Sequence, residues 1–417
     1  MKKGNELTEA MMRLKYSQET PEPFYVFDED ALAENIGQIQ GRLMPDMEMC
    51  YAVKANPLLV QLMKDGVSRF EACSPGEADI CCAYGTDMKK VVYSGVNKQP
   101  ADIRAAFDHG VGIITAESVR QFEWICEAAA GQKKGNVMQV LLRLSNGAQF
   151  GMDTEDLKGI IAEYGNNDSC GIHIAGIQYF TGTQKKIAKT DEEIDLLFDF
   201  AAELGKEYGF KPEILEYGPG LKVPYFQGED FDSVYTDLET VVKHTEERNK
   251  QLPDPAHIVF EMGRFIAASC GSYCAQVMDT KRSGGRNYAI LDGGINHINY
   301  YGQNMAMRLP VMVHCQTAPN AERHGAREEW CLCGSLCTFA DVLARKAGFT
   351  DLACGDLLIF RNIGAYSVTE GIYLFLSHEM PEIYFYSSEK GMRMIRPAVG
   401  TSAINAGMIS GDRKEIK

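Results

Sequence analysis

A chain of 417 residues, 45% hydrophobic and 24% charged, can bury at least one large core and exceeds a single small module. Its 42 Lys and Arg stand against 57 Asp and Glu, a net charge of -15, which argues against nucleic-acid backbones or anionic lipid as the main partner and leaves room for a local basic pocket. Thirteen cysteines, an odd number scattered as Cys81-Cys82, a Cys331, Cys333, Cys337 cluster and singletons, do not describe a secreted disulfide framework and fit a reducing cytoplasm.

The first residues, MKKGNELTEAMMRLKYSQ, carry two lysines at the start but no apolar h-region, and no run of eighteen apolar residues occurs anywhere, so neither a signal peptide nor a membrane span is expected. FYVFDE reads as a strand, too early for the series that follows and expected to pair with the C-terminal part. From about residue 47 to 263, short β-branched runs alternate with longer charged, helical stretches, the pattern of a parallel sheet covered by crossover helices. The runs are Met47 to Lys54, Arg69 to Ser74, Lys90 to Gly95, Gly112 to Glu117, Gln139 to Leu144, Ile174 to Tyr179, Ile214 to Gly218 and His257 to Gly263. Between them lie segments such as DEEIDLLFDFAAELGKEYGF, with apolar residues at Ile194, Leu197, Phe198, Ala201 and Ala202.

Eight strand-helix units predict a (β/α)8 TIM barrel over residues 30–270, with an open doubly wound sheet as competitor. Unusual residues end run after run: Lys54, Glu71, Arg143, the Gly218-Pro219-Gly220 turn and Glu261. Barrels gather their chemistry at the C-terminal ends of many strands, so this distribution favours closure. After Gly271 a mostly β domain is expected over 271–417, with a strand from residues 1–29 joining it. Its predicted strands lie in SYCAQVMDT, RNYAILDGG, EWCLCGSL, DLLIFRNIGAY, EIYFYSS and MRMIRP, and its one helical patch in TFADVLARK.

Lys54 ends the first run in YAVKANP. Alone it reads as a surface lysine capping a strand; enclosed at a barrel mouth it would have a lowered pKa, as Schiff-base chemistry with a carbonyl or pyridoxal phosphate requires. EYGPGLKVPY puts two glycines directly after a strand, either a plain turn or a place where backbone N-H groups approach an anion. The eighth run ends in EMGR, which brings Glu261, Gly263 and Arg264 to the same rim; Arg264 can pair with phosphate in a forked geometry. The C-x-C-x3-C spacing of Cys331, Cys333 and Cys337 invites a zinc reading. It fits poorly, because the first two share a strand face and no His or Cys pair closes a tetrahedral set, so no metal is expected.

Together these residues resemble a family. FYVFDEDALAENI, YAVKAN, FEACSPGEADI, LLRLSNGAQFGM, GIQYFTGTQ, EYGPGLKVPY, EMGRFIAASCG, LDGGIN, CGSLCTFADVLA and NIGAY match, in order and spacing, the fold-type III pyridoxal phosphate decarboxylases, the group of diaminopimelate, ornithine and arginine/carboxynorspermidine decarboxylases. The resemblance implies an alanine-racemase-like barrel with pyridoxal 5'-phosphate as cofactor. It implies Lys54 as the lysine that carries the cofactor, Glu261 as the carboxylate that keeps the pyridine nitrogen protonated, and Cys337 as the acid that protonates the carbanion. Thr183, the Gly218 to Gly220 turn, Arg264 and Tyr366 would grip the phosphate. Glu71 and Ser74 would flank the cofactor, and Arg143 would order the pocket near the lysine. A homodimer with shared active sites is also implied, the cysteine loop reaching the partner's barrel. Without the resemblance, Cys337 reads as a small buried hydrophobe.

The chain departs from the family pattern in informative places. A histidine that stacks on the cofactor ring in many members is Phe180 here, which can stack but neither hydrogen-bond nor titrate. The acidic residue that often follows the catalytic cysteine and contacts the distal amine of diamine substrates is Thr338. The late Tyr-Asn segment is replaced around GIYLFLSHEMP. With GGINHINYYGQ, SLCTFADVLA and FLSH, these changes resemble a subgroup of siderophore, antibiotic and other specialised pathways. That subgroup includes decarboxylases of citryl-diaminopropionate and of a carrier-protein-bound glutamyl group. His297, Asn299, Arg308 and His378 are candidates for distal substrate contacts, each with an alternative reading as a satisfied polar residue of loop or core.

The expected function is therefore decarboxylation of an amino acid or amino-acid conjugate, carrier-linked substrates included, by a cytoplasmic enzyme. Diamino-acid decarboxylation, racemization on the same framework, and a non-catalytic pyridoxal phosphate carrier are the competing readings. Retention of Cys337 beside all the cofactor residues argues against the last.

Overall fold

The computed structural model describes residues 2–17, 22–132, 137–166, 169–300 and 306–406. It divides into two units, one formed by Ala33–Val223 and Asp230–Ile266, the other by Met1–Leu32, Pro224–Glu229 and Ala267–Lys417. The strand β1 (Phe24–Asp28) belongs to the second of these.

All eight sequence runs become the strands of the first unit: β2 (Met47–Ala52), β3 (Arg69–Ala72), β4 (Val91–Tyr93), β5 (Ile113–Ala116), β6 (Met138–Arg143), β7 (Ile172–Phe180), β8 (Ile214–Gly218) and β9 (His257–Met262). Each pairs in parallel with the next and β9 returns to β2, closing the barrel and excluding the open sheet. Alternation along the strands sorts the inward side chains into layers. Cys50, Val92, Ile113, Leu141, Ala175, Ile214 and Val259 form a buried apolar cluster. Two residues further along, Ser94, Thr115, Arg143, Glu216 and Glu261 are buried polar groups. The barrel thus has an apolar floor, and its chemistry begins one layer above it.

In the second unit β1 lies between β10 (Gly271–Ser283) and β16 (Glu382–Ser387), antiparallel to the former and parallel to the latter. The sheet also holds β11 (Arg286–Leu291), β12 (Met312–Cys315), β13 (Arg327–Cys333), β14 (Val342–Thr350), β15 (Leu357–Arg361) and β17 (Gly391–Arg396). Leu7 and Met11 of the helix Lys2–Ser17 pack in one cluster with Phe24, Val26, Cys274 and Ile359. Burial of each large apolar side chain contributes about 1.5–3 kcal/mol. Among the described residues no helix is long and apolar enough to cross a membrane.

The predicted helical patch TFADVLARK is a correction: Val342 onward is strand β14. Its register against β13 slips between Trp330↔Ala347 and Leu332↔Ala344, so Arg345 and Lys346 together stand opposite one residue and both face outward. That bulge breaks the two-residue alternation and leaves an Ala-Leu-Arg-Lys composition that favours helix in isolation; pairing with β13 overrides the propensity. Strand β12 is short and was not anticipated.

Candidate active site

Lys54 follows β2 in a single helical turn, Val53–Ala55, which carries its side chain over the buried polar layer. Its Nζ donates to Glu71 Oε2 at 3.0 Å and to Glu261 Oε1 at 3.2 Å, and lies 3.7 Å from Cys73 Sγ and 5.6 Å from the Phe180 ring centre. The lysine side chain is 35% exposed while its two carboxylate partners are buried. Glu216, wholly buried, completes a group of three carboxylates whose oxygens lie within 4.8 Å of one another.

Burial and charge act oppositely on this group. Burial raises all three carboxyls, but the Lys54 ammonium, hydrogen bonds from Glu261 and Lys54, and the Arg143 charge hold Glu71 below the usual carboxylate range. Glu261 is held well above it, by burial first and by the adjacent Glu71 charge second. Glu216 is pushed up to about 7 by burial and then by Glu71. Glu71 is thus the anion of the pair, and Glu261 shares its proton with it.

Around this centre the sequence-selected residues occupy defined positions. Ser74 caps the helix Pro75–Ala83: its hydroxyl accepts the Glu77 N-H, and the Glu77 carboxylate accepts the Cys73 N-H at 2.7 Å. Arg143 pairs with Glu117 at 2.6 Å and lies 4.9 Å over Phe150, and its Nε is buried with no partner among the described residues. Gly218 faces Phe180 so closely that a Cβ there would sit 2.2 Å from the ring. Gly220 has φ +57°, and a Cβ on it would lie 2.2 Å from the Gly182 carbonyl oxygen. The segment holding Thr183 is bound to this turn: Lys185 N-H donates to Gly220 O, and Gln184 bridges both the N-H and the C=O of Val223. Gly263 follows β9, and Arg264 opens the next helical turn.

Several residues of this mouth escaped sequence reasoning. Glu77 was legible as the fourth residue of a Ser-x-x-Glu capping box, and Glu117 as one more polar residue ending a strand run. Lys98, buried, donates to the Gly95 carbonyl, and burial moves its ammonium down to about 8. Lys185 pairs with the buried Glu193 and reaches the Gly218 carbonyl at 3.1 Å. Neither lysine stood out in the sequence, since each sits in a loop after a strand run and only its burial in the fold distinguishes it from a surface lysine.

In the β unit, Cys337, Thr338 and Phe339 form the exposed tip of the β13–β14 connection, with Phe339 fully exposed. Buried Asp341 shapes that connection by accepting the N-H groups of Ile295 and Leu336 at 2.9 and 2.7 Å. Glycine is required beside it, since a Cβ at Gly294 or Gly334 would come within 2.4 Å of its oxygens. The Thr338 hydroxyl accepts the Ala340 N-H within the same turn. Tyr366 adopts a left-handed φ of +68°. Cys331 and Cys333 lie side by side on β13 with sulfurs 3.9 Å apart.

Three of the four distal-contact candidates are occupied, and the fourth, His378, lines a cavity. His297 is buried, its ring nitrogens within hydrogen-bonding distance of Tyr273 Oη and Asn296 Nδ2, and burial followed by the His378 charge lowers it to about 3. This is the satisfied core residue that was its alternative reading. Arg308 pairs with Glu229 at 2.7 Å and lies 4.5 Å over Phe226. Asn299 donates to Glu370 at 2.6 Å. His378 lines a cavity of about 260 Å³ with Glu22, Asp292, His297 and Glu379. Residues 301–303 of the GGINHINYYGQ motif lie outside the described residues.

Residues 30–268 match the pyridoxal-binding domain of the pyridoxal-dependent decarboxylases. The chain is similar to the L-glutamyl-[BtrI acyl-carrier protein] decarboxylase of Niallia circulans, 28% identical over 86% of this chain and 87% of the relative. It is also similar to the 2-[(L-alanin-3-ylcarbamoyl)methyl]-2-hydroxybutanedioate decarboxylase of Staphylococcus aureus, 25% identical over 90% and 96%. Among solved structures, a diaminopimelate decarboxylase from M. jannaschii superposes with a TM-score of 0.82 at 22% identity, covering 95% of this chain and 94% of that one, a likeness of fold.

Proposed function

The chain belongs to the pyridoxal-dependent decarboxylases, and from that premise we propose that it removes the α-carboxylate of an amino acid joined to a larger acidic or carrier-borne group, as a cytoplasmic homodimer with shared active sites. It is an amino-acid decarboxylase with pyridoxal 5'-phosphate as cofactor. The barrel mouth fits that group: a lysine amine between buried carboxylates, a glycine turn with no room for a Cβ, and an unpartnered buried Arg143 Nε.

The cofactor supplies an electron sink for the pair left on Cα when carbon dioxide departs. Lys54 would hold it, its amine kept at the site by Glu71 and Glu261. Glu261 is the partner of the ring nitrogen's proton, which the shared proton of the Glu71–Glu261 pair allows it to accept or release without exposure to water. Thr183, the Gly218 to Gly220 backbone, Arg264 and Tyr366 are assigned to the phosphate, and Phe180 to the ring face. Ser74 and Glu71 fix the β3 end, and Arg143 is held by Glu117. Cys337 gives its proton to Cα. A thiol at an exposed tip needs a surface to enclose it for that task, and the barrel of a second subunit is the enclosure proposed. Exposed Met307, Phe339, Ile372 and Leu374 give the β unit the apolar surface such an interface requires.

The observation that carries the substrate assignment is the chemistry beside Cys337. Thr338 stands where diamine decarboxylases have a carboxylate. Two acids of the same unit are engaged by neutral donors, Asp341 by two backbone N-H groups and Glu370 by Asn299. At position 338 a distal ammonium meets a hydroxyl in place of a carboxylate, which favours substrates like those in the relatives' names, a carrier-linked glutamyl group or a hydroxybutanedioate conjugate.

The test has two parts. Borohydride reduction should fix the cofactor on the peptide containing Lys54, and label on another lysine would overturn that assignment. Carbon dioxide release should then be faster with a carrier-linked glutamyl thioester or a citryl-diaminopropionate conjugate than with free lysine, ornithine or diaminopimelate.

A further inference from the structure

Glu216 is a buried ionisable group that the reaction as derived leaves unused. It projects inward from β8 in the layer of Glu261, is fully buried, and accepts from Gln178 Nε2 at 2.7 Å through Oε1. The same amide reaches Glu71 Oε1 at 3.3 Å, so Gln178 spans two acids with its single donor group. The remaining acceptors, Glu216 Oε2 and Gln178 Oε1, are buried and have no partner among the described residues. An ionised carboxylate in that position would leave two acceptors without a donor; a proton on Glu216 turns one of them into a donor.

Charge leads to the same state. Three carboxylates within 4.8 Å of one another face one near cation, Lys54. Of the other cations nearby, Arg69 is paired with Glu48 and Arg143 with Glu117, and the neighbouring Cys50 thiol is pushed far up by burial, so none of them offsets a second anion here. We propose that Glu216 is a positioning residue that must remain a neutral acid for decarboxylation, because an anion so close to Glu261 would oppose the electrons that carbon dioxide loss delivers to the cofactor. This rests on Glu261 being the cofactor's partner. The upward displacement of Glu216 to about 7, caused by burial and the Glu71 charge, puts its ionisation in the working range.

The experiment compares holoenzymes of wild type, Glu216→Gln and Glu216→Asp. In the wild type kcat should decline by roughly tenfold per pH unit above the Glu216 midpoint. Glu216→Gln, neutral at every pH, should keep kcat near the wild-type maximum and lose the decline; Glu216→Asp should keep a decline with a displaced midpoint. Infrared difference spectra should show a protonated-carboxyl band in wild type that disappears through the same midpoint and is missing in Glu216→Gln. An unchanged decline in Glu216→Gln, or no protonated-carboxyl band in wild type below neutral pH, overturns the proposal. Should Glu216→Gln not fold, the wild-type infrared titration and Glu216→Asp decide. A wild type that binds no cofactor would refute the broader functional reading, while the part of the infrared band that Glu216→Gln removes, leaving any contribution of Glu261, would still report on Glu216.

Discussion

Lys54 Nζ lies 3.2 Å from Oε1 of Glu261, although 207 residues separate them in the chain. The closing of the barrel between β2 and β9 makes this pair, and it sets the charge of the site. Replacing Glu261 by Gln keeps the shape and removes the ability to balance a ring proton. The expected result is retained cofactor with kcat lowered by about 10²–10³-fold, the usual loss when one preorganised electrostatic group is removed. Single-turnover carbon dioxide release at measured cofactor stoichiometry checks it; near-normal turnover would refute the role.

Gly220→Ala tests the phosphate turn. The left-handed backbone at φ +57° costs a non-glycine residue roughly 1–2 kcal/mol, and the Cβ would also strike the Gly182 carbonyl. The turn must shift, so cofactor affinity should fall at least about tenfold, the equivalent of 1.4 kcal/mol. Fluorescence titration of the apoenzyme with pyridoxal phosphate measures this. Unchanged affinity would remove the turn from the phosphate site.

Much of the barrel was legible because parallel strands buried on both faces read as apolar runs, and because residues such as Lys54 and Glu261 interrupt those runs at their ends. Glu216 was not singled out, since one acid inside ILEYG resembles an exposed strand position until its neighbours in space are known. Strand β14 was hidden by its bulge. Lys98 and Lys185 read as ordinary loop lysines, and what sets them apart, their burial beside Gly95 and Glu193, appears only in the fold. His297 looked like a ligand by residue type, while Tyr273 and Asn296, which occupy it, come from the surrounding sheet and loop.

Asp341→Asn tests whether the Cys337 loop is a positioned device. An amide offers one acceptor oxygen where the carboxylate accepts from both Ile295 and Leu336, so one buried N-H loses its partner at a cost of about 1–3 kcal/mol. Cofactor content should be unchanged and kcat reduced, with faster alkylation of Cys337 as the readout specific to loop order. Unaltered kcat and alkylation rate would show that the loop does not depend on Asp341.

Phe339→Asp tests the shared site. A fully exposed phenyl is expected to be buried by a second subunit, each copy contributing about 1.5–3 kcal/mol. The variant should sediment as a folded monomer, keep cofactor attachment at Lys54 and lose most decarboxylation. A monomeric wild type, or a variant that stays dimeric and fully active, contradicts the interface.

Thr338→Asp tests specificity by restoring the absent carboxylate. A charge-assisted hydrogen bond to a distal ammonium is worth about 1.5–3 kcal/mol, so kcat/KM for free lysine or ornithine should rise by roughly one to two decades. The same negative charge should repel an acidic conjugate, so kcat/KM for a hydroxybutanedioate-type substrate should fall. Opposite movement of the two substrates distinguishes recognition from damage to the neighbouring Cys337, which would lower both. The Thr338 hydroxyl accepts the Ala340 N-H, and an aspartate can accept the same bond, so the turn should survive the change. The assay is steady-state kinetics on both substrate classes with one enzyme preparation. If wild type already prefers a free diamino acid, or if Thr338→Asp leaves the ratio unchanged, Thr338 does not set the distal specificity.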